Sequence, residues 1–176
     1  MQDNPILVAP WCALLVRPQH EQAVARALAA KSVVAWAPTR RVRRRWSDRV
    51  REVDAPLFPG YVFARLAGFQ RRATLETPGV VRIVGFNGTP AAIEESEIEA
   101  IRRAADAGLA PRPCETWRPG QRVRIDQGPL AGSEGVIERQ GGEARLILEI
   151  TLLQRAVYVE IDERWVIAPA ALGGSR

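Results

Sequence analysis

Apolar and polar positions along the first part of the chain follow an order that predicts an α/β domain. A short apolar run at residues 11–17 predicts a buried strand. Residues 21–31 then place Val24 and Leu28 at helical spacing, which predicts a helix with one apolar face. A second apolar run at residues 33–37 returns to strand character. This strand–helix–strand order indicates a helix laid on a sheet.

Further elements of the same kind complete this domain. Apolar runs predict strands at residues 61–66 and 80–86, with a short helix between them. A last helix is predicted at residues 94–107, followed by Gly108 as its C-terminal cap. The first domain is therefore predicted to be an α/β sandwich over residues 6–108.

The pattern becomes all-β after a linker that contains prolines. Residues 109–116 carry Pro111 and Pro113, which are expected to keep the linker extended and out of any helix or sheet. Beyond it, alternation of the kind seen at residues 122–125 and glycines at the turns predict five short strands. A sheet of this size avoids exposed edges by closing, so we predict a small β-barrel over residues 117–170. The fold class is α+β.

Charge is concentrated in one segment of the first domain. The formal net charge is +5, whereas residues 111–176 carry nine basic and nine acidic side chains. Seven arginines and one aspartate give residues 40–51 a charge of +6. A hairpin with this charge is expected to attract phosphates, with Trp46 placed to stack on an unpaired base; the alternative is a solvated surface with Trp46 packed inward. The candidate nucleic-acid contacts are Arg40, Arg41, Arg43, Arg44, Arg45, Trp46 and Arg49.

Composition opposes several other classes of function. The two cysteines, Cys12 and Cys114, lie far apart, and His20 is the only histidine, so neither a metal site nor a Ser-His or Cys-His triad is supported. No apolar run reaches the roughly 18 residues that span a bilayer, and the N-terminus lacks a signal-peptide pattern. We expect a cytoplasmic, monomeric protein that has no cofactor, no metal and no membrane partner and is not an enzyme. Composition by itself leaves open an enzyme that uses carboxylates or serine alone.

Two motifs carry a resemblance to a known family. Residues 119–137 resemble the KOW motif, in which Gly128 and Gly135 flank a sharp turn and are expected to adopt positive φ. The segment Phe-Pro-Gly-Tyr-Val-Phe at residues 58–63, together with Trp11, residues 77–80 and residues 85–86, resembles the N-terminal domain of NusG-type transcription factors, which include RfaH. The resemblance implies an NGN-type α/β sandwich, with an antiparallel sheet and flanking helices, followed by a five-stranded SH3-like KOW barrel.

The resemblance also implies a contact with RNA polymerase. In the family the N-terminal domain docks on the polymerase clamp helices through an apolar groove. Strand periodicity places Tyr61 and Phe63 on one face and Val62 on the other. If the Val62 face meets the helices, the aromatic face would stay partly open; the alternative is that both faces are core. The residues that match the groove are Trp11, Phe58, Tyr61 and Phe63.

The barrel is expected to carry a second partner site at one corner. Adjacent Leu152 and Leu153 cannot both be buried by strict alternation, so we expect one of them to face outward. The resemblance implies that this corner, together with Leu130, contacts termination factor Rho or a small-subunit ribosomal protein. Leucines stand here where the family more often has Phe-Gly, and plain core packing is the alternative. Strand periodicity over residues 144–161 favours a barrel that does not refold into helices.

The expected function is that of a polymerase-bound elongation factor, a processive antiterminator or termination modulator. The segment at residues 44–49 and the Leu-Leu-Gln-Arg corner are similar to operon-specialised paralogs of the UpxY and RfaH kind. One alternative is a housekeeping NusG that links polymerase to Rho or the ribosome, and another is a ribosome-associated RNA binder, which the uncharged barrel opposes. A metal-dependent nuclease is suggested by four carboxylates near the start of the last helix of the first domain: Glu94, Glu95, Glu97 and Glu99. These side chains do not share one helix face, and acidic residues are favoured at a helix N-terminus by the helix dipole, so the sequence opposes this function.

Overall fold

The structure, a computed structural model, describes residues 9–45, 49–114 and 120–167. Its chain divides into two units, residues 1–95 and 96–176. The helix that the sequence places last in the first domain therefore falls almost entirely in the second unit. The predicted domain limits, 6–108 and 117–170, stay a prediction.

The first unit is built around an antiparallel sheet of four strands, which lie in the order Val34–Trp36, Tyr61–Arg65, Trp11–Val16 and Val80–Ile83. A 3₁₀ turn at Gly68–Gln70 precedes its second helix. The helices and strands, in chain order, are β1 (Trp11–Val16), α1 (Glu21–Ala30), β2 (Val34–Trp36), β3 (Thr39–Arg45), β4 (Val50–Pro56), β5 (Tyr61–Arg65), α2 (Arg71–Leu75), β6 (Val80–Ile83), β7 (Gly85–Phe86) and β8 (Thr89–Pro90).

One face of this sheet packs against α1. Leu14 on β1 lies opposite Val62 on β5, and both are buried together with Val24 and Leu28 of the helix. The period-two alternation of the strands and the helical spacing of α1 bring these apolar positions into one core. The prediction that α1 lies on the sheet is therefore confirmed, and the face that it covers is the one that carries Val62.

The arginine-rich segment forms a separate two-stranded hairpin. Strands β3 and β4 pair antiparallel over seven residues each, from Thr39 opposite Pro56 to Arg45 opposite Val50. This agrees with the hairpin expected from the sequence. Trp46, which the sequence analysis placed at a nucleic-acid contact, lies outside the described residues.

The second unit contains one helix and an antiparallel sheet of six strands. The helix is α3 (Glu95–Asp106), and Gly108 follows it with φ 72°, as expected for a glycine cap. Among the described residues no helix has the length and apolar character to cross a membrane. The strands are β9 (Arg112–Cys114), β10 (Gln121–Ile125), β11 (Glu134–Gln140), β12 (Glu143–Ile150), β13 (Arg155–Ile161) and β14 (Val166–Ile167).

The order of these strands is β14-β10-β11-β12-β13-β9, and in the described part of the chain β14 and β9 are both edges. The closed five-stranded KOW barrel is therefore not confirmed, although the strands predicted for it are present. Burial follows the predicted alternation, with Val123 and Ile125 in the core and Arg122 and Arg124 exposed.

Two expectations about local structure in this unit are wrong. Residues of the predicted linker form β9, in which Pro113 lies opposite Val157, because an edge strand tolerates a proline whose missing N–H would face outward. Gly128 has φ 75°, as expected, but Gly135 does not have positive φ. Gly135 is required by close approach instead, since a Cβ there would lie 2.6 Å from the carbonyl oxygen of Ile147.

Candidate functional site

The aromatic face of the first sheet is closed at most of the predicted polymerase contacts. Trp11, Phe58 and Phe63 are only 1%, 2% and 0% exposed, whereas Tyr61 is half-buried. The Phe63 ring packs edge-on against Phe58, with 5.3 Å between ring centroids, and lies 5.9 Å from the ring of Trp36. The expectation of a partly open aromatic face therefore holds at Tyr61 and not at Phe63.

Trp11 is fixed by a polar cluster at the edge of the same face. The guanidinium carbon of Arg65 lies 4.9 Å from the centroid of the Trp11 ring, a cation–π arrangement. The indole N–H of Trp11 donates to Glu95 over 3.2 Å, and Arg65 forms an ion pair with the same carboxylate. Arg65 also donates to the backbone oxygen of Ala9 over 2.9 Å. Sequence reasoning read Glu95 only as a helix-start residue and missed this contact.

The turn that presents Tyr61 is held by a buried carboxylate. Glu21, the first residue of α1, is 4% exposed, and its Oε1 accepts a hydrogen bond from the backbone N–H of Gly60 over 2.8 Å. Gly60 has φ 82°, and its carbonyl accepts from the N–H of Val16 over 2.8 Å. The N–H of Tyr61 donates to the carbonyl of Phe58 over 3.1 Å. Nothing in the sequence distinguished Glu21 from an ordinary acidic residue in a first helical turn.

The hairpin presents most of its arginines to solvent. Arg40 is half-buried and its Nε is buried without a hydrogen-bond partner. Arg43 and Glu52 form a cross-strand ion pair at 3.2 Å between two exposed side chains. Such a pair contributes little stability, about 0–1 kcal/mol, so the ribbon is not held together mainly by charge. The exposed candidate contacts are Arg41, Arg43, Arg44, Arg45 and Arg49.

The predicted partner site in the second unit is divided between surface and core. Residues Thr151–Leu153 form a 3₁₀ turn, in which Leu152 and Leu153 are both half-buried, and Gln154 follows in the left-handed region with φ 50°. Leu130 is fully buried, so in this structure it belongs to the core. The Thr151 hydroxyl donates to Glu97 on α3 over 2.6 Å, which ties this turn to the helix.

A charged groove of about 400 Å³ lies between α3 and the sheet of the second unit. Burial raises the pKa of Glu149 in this groove, the nearby Glu97 carboxylate raises it further, and Arg122 acts in the opposite direction. Across the described ranges, no three His, Cys, Asp or Glu side chains are grouped so as to hold a metal ion. The lining includes both acidic and basic side chains, among them Glu149, Glu97 and Arg122.

Comparison with known proteins places the chain in a family. The family model described as transcription termination factor NusG matches residues 9–102. The transcription termination/antitermination protein NusG of Escherichia coli K12 is 34% identical over 131 residues, which cover 71% of this chain and 72% of that protein. Its counterpart in Pseudomonas aeruginosa is 32% identical over 130 residues, with 71% and 73% covered. The chain belongs to the NusG family.

A solved structure supports the family at the level of the fold. The structure of Thermotoga maritima NusG superimposes with a TM-score of 0.51 and 24% sequence identity, and the alignment covers 93% of this chain and 98% of that one. The family is one of transcription termination and antitermination factors, as the names of its matching members state.

The part of the chain that matches the NusG family model includes only some of the candidate sites. It contains the aromatic face, the Glu21–Gly60 contact and the β3–β4 hairpin, all of which lie within residues 9–102. The turn at Thr151–Leu153 and Leu130 lie beyond that match. The first unit therefore carries most of the family signal.

Proposed function

We propose that the protein is a cytoplasmic transcription elongation factor that binds RNA polymerase through its first unit and contacts nucleic acid near the transcription bubble through the β3–β4 hairpin. The observation that carries the proposal is an exposed, strongly basic hairpin in a chain of the NusG family. On this proposal the factor has no catalytic step of its own. It changes termination by holding its partners in place.

The polymerase contact would be made around Tyr61. Of the four aromatic residues proposed for it, Tyr61 alone is half-buried, while Trp11, Phe58 and Phe63 are buried. Aromatic side chains with an exposed edge and a polar tip are favoured at protein interfaces. On this reading Phe58 and Phe63 support the strand and turn that carry Tyr61, and the clamp helices would meet the Tyr61 side chain.

The hairpin supports a nucleic-acid contact through its charge. Between residues 40 and 51 it carries a formal charge of +6, more than the net charge of the whole chain. Arginine keeps its charge at all physiological pH values and can grip a phosphate with two donors. Phosphate contacts of this kind are independent of sequence and position a protein along the strand.

We further propose that the factor is an operon-specialised antiterminator of the UpxY or RfaH kind. The arginine-rich hairpin and the Leu152–Leu153 turn support this assignment. The turn has leucines where the family more often has Phe-Gly at the site that contacts a partner. Rho and a small-subunit ribosomal protein are the proposed partners of that turn on either assignment. A housekeeping NusG that assists Rho remains the alternative to be tested.

The binding test is a pull-down of RNA polymerase with the full chain and with Tyr61→Ala. We expect Tyr61→Ala to weaken capture at least ten-fold, as for an interface hot spot of roughly 2 kcal/mol. Tyr158→Ala is the matched control, because Tyr158 is the other tyrosine, is also half-buried and lies in the second unit. Capture unaffected by Tyr61→Ala, or reduced equally by both variants, would count against the proposed contact.

Transcription across a Rho-dependent terminator with purified polymerase separates the two kinds of factor. Increased read-through on adding the protein is expected for a specialised antiterminator. Increased termination would instead assign it to the housekeeping role. If the protein neither captures RNA polymerase nor changes termination, the proposed function as a whole is contradicted.

A further inference from the structure

The alternation of side chains along the hairpin sorts its arginines onto two faces of different character. In an antiparallel pair, residues directly opposite each other project from the same face of the ribbon. Arg44 lies opposite Arg51, whereas Arg43 lies opposite Glu52. One face, here called the carboxylate-bearing face, consists of Arg41, Arg43, Arg45, Val50, Glu52 and Asp54; the other, called the arginine face, consists of Arg40, Val42, Arg44, Arg51, Val53 and Ala55.

The carboxylate-bearing face is largely neutralised by the protein itself. Arg43 forms its ion pair with Glu52 at 3.2 Å, and Arg41 lies opposite Asp54. A polyanion that approached this face would meet two carboxylates beside three guanidinium groups. It would have to compete with Glu52 for Arg43, and the repulsion from both acids would offset much of the attraction.

The arginine face has the opposite balance. It carries three arginines and no acidic residue, and Arg44 and Arg51 are both exposed. Across the described ranges neither of these two guanidinium groups has an ion pair or a hydrogen bond to the protein. Like charges directly opposite on a two-stranded ribbon are destabilising, so the sequence retains a pair that costs the isolated hairpin stability.

A phosphate group removes that cost. Each of two guanidinium groups side by side can donate two parallel hydrogen bonds, and the oxygens of a phosphate group accept such a pair of bonds with matching geometry. Half-buried Val42 and Val53 lie between Arg40 and the Arg44–Arg51 pair and supply an apolar floor rather than a competing charge. The chemistry of this face therefore fits the sugar–phosphate backbone of a nucleic acid.

We propose that the hairpin contacts nucleic acid through its arginine face alone, with Arg44 and Arg51 acting together as a phosphate clamp, and that the carboxylate-bearing face is turned away from the strand. This inference rests on the proposed nucleic-acid contact and adds which face makes it. Of the six arginines on the two strand faces, three would then be contacts and three would not.

A pair of double variants with equal charge loss tests the assignment of the face. The full chain, Arg44→Gln/Arg51→Gln and Arg41→Gln/Arg43→Gln are titrated with a single-stranded and a duplex DNA oligonucleotide by fluorescence anisotropy at several salt concentrations. Loss of two phosphate contacts is expected to reduce the slope of log K against log salt by about 1.4 for the single strand and about 1.8 for the duplex. We expect this reduction for the Arg44/Arg51 variant and less than half of it for the Arg41/Arg43 variant.

The outcomes distinguish failure of this inference from failure of the proposed function. Equal reductions in the two double variants, or a larger one for Arg41/Arg43, would overturn the assignment of the face and leave nucleic-acid binding by the hairpin standing. If the chain binds both oligonucleotides and neither double variant changes the slope, the hairpin is not the nucleic-acid contact. If the unmodified chain binds neither oligonucleotide, the proposal of a phosphate clamp is likewise overturned.

The single substitution Arg51→Glu separates binding from folding. It places a carboxylate opposite Arg44 and converts a repulsive cross-strand pair into an attractive one, so the hairpin should be at least as stable as before. Hydrogen exchange at the amides of Val42 and Val53 should therefore be equal or slower, while the salt slope falls by at least as much as in Arg51→Gln. Faster exchange accompanied by the loss of binding would mean that Arg51 acts on the structure of the hairpin and would overturn the clamp.

Discussion

The buried carboxylate of Glu21 offers a direct test of how the first unit presents its candidate polymerase contact. Its Oε1 is the acceptor for the Gly60 N–H at 2.8 Å, and the Glu21 side chain is almost fully removed from solvent. Glu21→Ala removes the acceptor and leaves the Gly60 N–H without its partner in a partly buried turn. We expect the first unit to lose about 2–3 kcal/mol in its free energy of unfolding.

That magnitude combines two effects. A buried donor left unsatisfied costs about 1–3 kcal/mol. The one methylene that is lost, Cγ, adds up to about 0.8 kcal/mol to the extent that it is buried. Glu21→Gln keeps an oxygen in the accepting position and loses only the charge-assisted part of the hydrogen bond, so we expect it to cost less than about 1 kcal/mol.

The assay is hydrogen exchange of the core amides of Leu14 and Val62 in the full chain, because these amides report the unfolding of the first unit. Glu76→Ala is the matched control: Glu76 is an exposed partner of Arg72 in an i,i+4 ion pair, and its loss should stay within about 0.5 kcal/mol. Equal losses for Glu21→Ala and Glu21→Gln would refute the reasoning, since the role assigned to Glu21 is that of a hydrogen-bond acceptor. A loss for Glu21→Ala no larger than that of Glu76→Ala would refute it as well.

Two further predictions concern the second unit. Because the pKa of Glu149 is raised above its ordinary value of 4.5, the folded state holds this proton more tightly than the unfolded state, and stability should fall as pH rises from about 4.5 through the raised pKa. Glu149→Gln should remove this part of the pH dependence of stability, measured by urea unfolding between pH 4 and pH 7. The control Glu160→Gln, at an exposed position, should retain it. An unchanged pH profile in Glu149→Gln would contradict the raised pKa of Glu149. Gly135→Ala should destabilise the sheet by about 1–3 kcal/mol, because the new Cβ would meet the Ile147 carbonyl oxygen at 2.6 Å. The control Gly68→Ala should cost much less, because there is open space around Gly68. Similar shifts of the thermal unfolding midpoint for the two variants would contradict the close approach at Gly135.

The local pattern of apolar and polar residues was sufficient to predict most helices and strands of the structure. The helix predicted at residues 21–31 is Glu21–Ala30, and the basic segment forms the hairpin that was expected for it. The conformation of these elements depends on the spacing of apolar residues and on neighbours a few positions away. The sequence pattern is therefore enough to predict them. The positive φ of Gly128 and the cap at Gly108 were predictable for the same reason, because a turn or a helix end imposes them locally.

Long-range pairing decided the features that bear on the candidate sites. Glu21 meets Gly60 and Trp11 meets Glu95 across 39 and 84 residues of chain, distances over which no sequence pattern relates the partners. Pro113 joins a sheet because β13 leaves an edge for it. Gly135 is required because a Cβ at this position would lie 2.6 Å from the carbonyl oxygen of Ile147 on the neighbouring strand β12. None of these requirements is a property of the residue's own neighbourhood in the sequence.

The same distinction applies to the burial of the aromatic residues and to the hairpin charges. Alternation correctly separated the two faces of β5, but it could not tell that Phe63 would be enclosed by Phe58 and Trp36. In the hairpin, composition predicted a basic ribbon, whereas the cross-strand register determined that Arg43 faces Glu52 and Arg44 faces Arg51. A shift of the register by one residue would change these neighbours, for example by placing Arg44 opposite Glu52 and Arg43 opposite Val53. Sequence therefore predicts the charge of the hairpin, and its pairing decides which face can offer that charge to a partner.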